Sequence, residues 1–98
     1  MDRSELHQVL KAITSNVYFQ PPSNVALQYP CIVYQRDYAD TKFADNSPHR
    51  ITRRYQVMVV DRDPDSAIPA KIAELPMSTF NRFFAADDLN HDVFTVFF

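Results

Sequence analysis

No glycine occurs anywhere in this 98-residue chain, where average usage near 7% would place about seven. Loops that cradle phosphate need glycine so that the backbone can approach the anion, so the Walker A motif and the dinucleotide fingerprint are both excluded. The strained strand-turn-helix elbow of serine hydrolases fails for the same reason. Turns that require positive φ must be built by Asn or Asp, and the candidates are Asn16, Asn46, Asp88 and Asn90.

A chain this short has material for one core, so a single domain over residues 1–98 is expected. Hydrophobic residues make up 46%, with eight Phe and five Tyr, which is too apolar for disorder, and no unbroken apolar run is long enough to span a bilayer. The opening Met1-Asp2-Arg3-Ser4-Glu5 shows no basic region followed by an apolar run, so no secretion signal is expected. The one cysteine, Cys31, lies between Pro30 and Ile32 and reads as a buried structural thiol. A net charge of −2 argues against a global electrostatic grip on nucleic acid.

Leu6, Val9, Leu10 and Ile13 recur at helical spacing and predict an amphipathic helix over Arg3 to Ser15, with Asp2 as its cap and Glu5 completing a capping box. Gln20 to Asn24 contains Pro21-Pro22 and reads as a loop. Cys31 to about Tyr38 is β-branched and aromatic, hence a strand. The polar stretch Ala39 to His49 reads as a long hairpin loop, and Arg50 to Val60 as a return strand that is central at its apolar end. Asp61 to Ser66 turns into a short helix carrying Ile68, Ile72 and Leu75, with Pro69 in its first turn and Pro76 ending it. Strands at Ser78 to Ala85 and His91 to Phe98 close the chain through a hairpin loop at Ala86 to Asn90. The expected fold class is α+β, with an N-terminal helix and four or more mainly antiparallel strands carrying two helices on one face. The last strand is apolar on both sides, more than a half-wet sheet requires, so a helix or another subunit should cover it.

Asp61, Asp63 and Asp65 are the nearest approach to a catalytic constellation, and they would serve a metal-dependent hydrolase. An EF-hand loop would need Gly and Glu where Ser66 and Ile72 stand, so the acids read as turn and helix-start residues. His7, His49 and His91 lack metal-ligand spacing and read as polar surface residues, and His91 and Asp92, adjacent on a strand, should face opposite ways. No catalytic residue, metal or cofactor is therefore expected. Arg50, Arg53 and Arg54 form a local basic patch. It reads as a protective charged edge or as an inter-subunit clamp onto Asp37, Asp40, Asp45, Asp61, Asp63 or Asp65 of a neighbour. A third reading is a nucleic-acid-binding module in which Tyr34, Tyr38 and Tyr55 stack on bases.

Several segments together resemble a family of small siphophage tail-terminator, or minor tail, proteins. They are Leu27 to Tyr34, Asp40 to Asn46, Arg54 to Asp65 and Leu89 to Thr95, in this order behind a short amphipathic helix. The resemblance implies a non-enzymatic virion protein that assembles, usually as a hexameric ring, on the last ring of the tail tube. There it stops polymerisation and presents the surface that joins the head. Its partners would be further copies of itself, the major tail tube protein and a head-tail connector protein, with no membrane and no specific nucleic acid. It would reside in the virion tail, and in the host cytoplasm during assembly. On this reading the subunit interface draws on Asp40, Phe43, Asp45, Arg50, Arg53 and Arg54, and the 40–48 loop orders between neighbours.

Overall fold

The computed structural model describes residues 3–44, 47–76 and 78–98, with the backbone alone for 38–44 and 47–52. Helix α1 spans Arg3–Lys11 and buries Leu6 and Leu10, one turn apart on the same stripe. Each buried leucine contributes roughly 1.5–3 kcal/mol. Glu5 in the first turn and Lys11 in the last suit the helix dipole, and the expected cap, Asp2, lies outside the described residues. The helix stops short of the expected Ser15. Ile13 and Thr14 both donate their amides to the Leu10 carbonyl, at 2.9 and 3.1 Å, a shared acceptor that tightens the last turn and ends the regular ladder.

Five strands follow: β1 (Val17–Phe19), β2 (Cys31–Ala44), β3 (Ser47–Asp61), β4 (Ser78–Ala86) and β5 (Leu89–Phe97). A short helix α2 (Ile68–Ala73) lies between β3 and β4. The strands form one mixed sheet in the order β1-β2-β3-β5-β4. β1 runs parallel to β2, with Val17 opposite Ile32 and Phe19 opposite Tyr34, and every other pairing is antiparallel. The fold is thus α+β, with one N-terminal helix and a second helix of only six residues. Pro69 stands in the first turn of α2 as its lack of an amide hydrogen requires, and Ser66 Oγ accepts from the Ile68 amide at 3.3 Å.

The core lies between the helices and one face of the sheet. Leu6, Leu10 and Ile72 pack on Ile32, Tyr34, Tyr55, Val57, Val59, Phe94 and Val96, the alternate residues of three adjacent strands. β5 is an interior strand between β3 and β4, which accounts for its apolar character on both faces. Val93, on the face away from the helices, is as completely buried as Val57.

Val17-Tyr18-Phe19, to which the sequence assigns no element, is a short strand. The long hairpin loop expected from Ala39 to His49 is not found: β2 continues to Ala44 and β3 begins at Ser47, with Asp40 opposite Thr52 and Lys42 opposite Arg50. β5 reaches only as far as Arg54, so this part of the β2–β3 hairpin is a two-stranded arm beyond the body of the sheet. A two-stranded ribbon has no buried face to impose an apolar pattern, and Pro48 lies where no β5 strand needs its missing amide hydrogen. The arm lengthens the molecule to 51 × 27 × 23 Å.

At the β4–β5 turn, Asp87 and Asp88 take φ of 54° and 61°, the two left-handed residues of a type I′ hairpin. Of the residues expected at positive φ, Asn16 and Asn90 are not among those that adopt it, and Asn46 lies outside the described residues. Gln20, at φ 45°, was not anticipated.

Candidate assembly surface

The expected interface residues divide between the arm and its root. Asp40, Phe43 and Arg50 occupy register positions on the arm, opposite Thr52, Pro48 and Lys42 respectively. Asp45 lies outside the described residues. Arg53 and Arg54 stand at the root, where β5 ends, and the Phe98 amide donates to the Arg53 carbonyl at 3.0 Å. Arg54 Nε donates to Asp37 Oδ2 at 3.0 Å, with both side chains more than a third exposed. One of the acids expected to meet a neighbour's arginine is therefore paired within its own chain. So exposed a pair contributes roughly 0–1 kcal/mol, and its clearer effect is to fix the Arg54 head beside β2.

The tyrosines proposed as stacking platforms are placed differently. Tyr34 and Tyr55 are core residues, 0% and 2% exposed, with ring centroids 6.2 Å apart. The side chain of Tyr38 lies outside the described residues. Tyr34 also overturns the reading of His7 as a plain surface residue, because its hydroxyl lies 2.7 Å from His7 Nδ1 and 3.3 Å from an Arg3 guanidinium nitrogen. Arg3 further covers the Phe19 ring at 4.4 Å. Burial lowers the His7 pKa below its ordinary value, helped by the positive charges of Arg3 and Lys11, and burial raises that of Tyr34.

The acidic turn organises backbone. Asp61 Oδ1 accepts from the Asp63 amide at 3.0 Å, and Asp63 Oδ1 accepts from the Asp65 amide at 2.9 Å. These are successive Asx turns, so the acids shape the approach to α2, whose N-cap position is Ala67. No group of three or more metal-ligating side chains occurs among the described residues. Cys31 is buried, and burial together with the Asp61 charge pushes its thiol up to about 11, so it is protonated at neutral pH.

His91 and Asp92 face opposite ways as expected, aligned with Val60 and Val59 of β3. His91 is half-buried rather than a plain surface residue, and its Nδ1 is buried without a hydrogen-bond partner. Burial raises the Asp92 pKa.

The feature that sequence reasoning missed is the exposure of β4, a strand it expected but did not place at the edge of the sheet. After the half-buried Ser78 every residue from Thr79 to Ala86 is exposed, and among them Phe80, Phe83 and Phe84 are 54%, 53% and 36% accessible. Phe80 meets Phe94 edge-on at 5.5 Å, and Phe84 stacks on His91 at 4.4 Å, so each ring touches the sheet on one side and solvent on the other. Edge strands are usually blunted by charged side chains, proline or a cover; β4 carries Arg82 and a register irregularity near Asn81, and no strand covers its outer edge among the described residues. The signal was present in Phe80-Asn81-Arg82-Phe83-Phe84, three aromatics in a strand joined by a tight turn to a neighbour apolar on both faces. A second apolar feature is a recess of about 280 Å³ between the helices and the end of β5, lined by Leu6, Val9, Leu75, Pro76, Val96, Phe97 and Phe98.

No helix among the described residues is long and apolar enough to cross a membrane. No family model matches the chain, and no curated protein or solved structure matches it significantly.

Proposed function

We propose that this chain is a phage virion assembly protein. Its subunits form a homo-oligomer, a hexameric ring, that caps the head-proximal end of the tail tube, terminates tail polymerisation and contributes to head-tail joining. The major tail tube protein and a head-tail connector protein are its partners, and its role involves no catalysis. The resemblance of the sequence segments, in their order, to siphophage tail terminators supports this reading. The observation that carries an assembly role is the pairing of a projecting two-stranded arm with an aromatic edge strand left uncovered on the same sheet. Contiguous exposed apolar surface of this kind marks interaction sites. Asp40, Phe43 and Arg50 on the arm, Arg53 and Arg54 at its root, and Asp45 form the subunit contact.

A nucleic-acid-binding role for Arg50, Arg53 and Arg54 draws less support, because Tyr34 and Tyr55 are core residues and Arg54 is paired with Asp37. Polymerisation of purified tail tube protein tests the proposal. Added chain should co-sediment with tubes and cap their length, whereas tubes that grow unchanged with the chain left in the supernatant would refute it.

A further inference from the structure

We propose that β4 is the docking edge for a second copy of this chain, which adds Asp37–Ala44 of its β2 antiparallel to Ser78–Ala85. The inference rests on the assembly reading above and names the surface that receives the arm.

The sheet has two open edges. β4 pairs only with β5. On the other side β1 covers β2 only from Ile32 to Tyr34, and the Gln20 side chain holds the Arg36 amide at 3.1 Å. From Asp37 onward that edge of β2 has no partner strand among the described residues. Unpaired edges of this length are templates for strand addition.

Strand direction favours joining the two edges head to tail. β2, β3, β5 and β4 alternate in direction across the sheet. The next copy's β2, oriented as in the first, therefore runs antiparallel to β4. Copies related by rotation can repeat this contact and close a ring.

Charge selects the occupant. A twofold pairing of β4 with β4 at full overlap sets Arg82 against Arg82, a like-charge pair at the centre of the contact. Arg82 has no carboxylate at ion-pair distance among the described residues. Aligning Ser78–Ala85 with Asp37–Ala44 sets Arg82 opposite Asp40 and Phe84 opposite Tyr38, an opposite-charge pair beside an aromatic pair.

From Arg82 onward, past the irregularity in β4, the sheet faces agree as well. Arg82 and Phe84 align with Val93 and His91 of β5, on the face away from the helices. Tyr38 and Asp40 align with Arg54 and Thr52 of β3, on that same face. The helices of successive copies thus stay on one side of the joined sheet. In its own chain Ser78 is level with Arg36, through Val96 and Tyr55. Meeting Ala44 displaces each copy along the strands by about 26 Å at roughly 3.3 Å per residue, so the strands run steeply oblique to the ring axis.

Charge exchange in the full chain tests the contact, with sedimentation velocity as the readout, alone and with tail tubes. Arg82→Asp and Asp40→Arg should each weaken self-association about tenfold, and the double variant should restore most of it. Phe84→Ser should weaken it with the far-ultraviolet spectrum unchanged. A R82D chain that assembles like the wild type, or a double variant no better than the singles, overturns the docking edge while leaving the assembly reading intact. Stronger association of Arg82→Ser would favour twofold β4 pairing and overturn it too. A wild-type chain that remains monomeric alone and on tubes removes the assembly reading itself, and this inference with it.

Discussion

Replacing Tyr34 with phenylalanine removes a hydroxyl that fastens α1 to the sheet through side-chain hydrogen bonds. The tyrosine is fully buried. It accepts from Arg3 at 3.3 Å and shares a hydrogen bond of 2.7 Å with His7 Nδ1, donating to it in the tautomer that carries the imidazole hydrogen on Nε2. Loss of the short bond costs about 1 kcal/mol net, and the long one to an exposed arginine adds little. The phenylalanine ring preserves the contacts with Phe19 and Tyr55, and half-buried His7 regains solvent, so the total is about 1–1.5 kcal/mol. With a urea m-value on the order of 1–2 kcal/mol/M, the midpoint should fall by roughly 0.5–1.5 M.

The penalty should also depend on pH. The folded pKa of His7 lies below its ordinary 6.5, so between the two values the unfolded chain binds more protons. Stability is then full above pH 6.5 and declines as pH falls through the folded value. Protonation puts a hydrogen on Nδ1, so the Tyr34 hydroxyl must then accept from both His7 and Arg3, whose like charges oppose that arrangement. Urea melts of wild type and Tyr34→Phe should therefore differ most above pH 7 and converge in acid. Equal stability at pH 7.5, or a gap that widens toward pH 5, would refute the hydrogen-bond assignment.

Other perturbations probe separate parts of the fold. Cys31, buried with its thiol pushed up to about 11, should resist a thiol reagent in native buffer and react fully in denaturant; rapid native labelling would contradict its burial. The β4–β5 turn holds two aspartates at positive φ, so Asp88→Gly should raise the thermal midpoint, by about 0.5–1 kcal/mol in stability, and a lower midpoint would count against the type I′ assignment. Burial raises the Asp92 pKa, so its contribution is full below the ordinary value of 3.8 and is lost as pH rises through the folded one. Asp92→Asn should accordingly be more stable than wild type at pH 7, with the difference vanishing near pH 3.

The helical stripe at Leu6 and Leu10 was legible because it buries one side, and burial writes a period into the sequence; the apolar end of β3 and strand β5 were legible because burial on both faces leaves a nearly continuous apolar run. The arm was not. Its described residues are placed by the backbone register of β2 on β3, so a polar composition that suggests a loop is equally compatible with a ribbon. β1 was missed because three residues carry too little pattern, and its parallel partner begins more than ten residues later. His7 looked like surface because the group it binds is a tyrosine hydroxyl distant in sequence. Of the interface residues, the sequence identified the arginines on the return strand and missed the exposed aromatics of β4, where Phe80 and Phe83 resemble core positions until the edge of the sheet is known.

Electron cryomicroscopy of tail tubes incubated with the chain tests the central claim most directly. A single closed ring of six copies at the head-proximal end of each tube, with no density for the chain along the shaft, is the predicted image. Bare tube ends at saturating chain, or copies scattered along the tube wall, would contradict it.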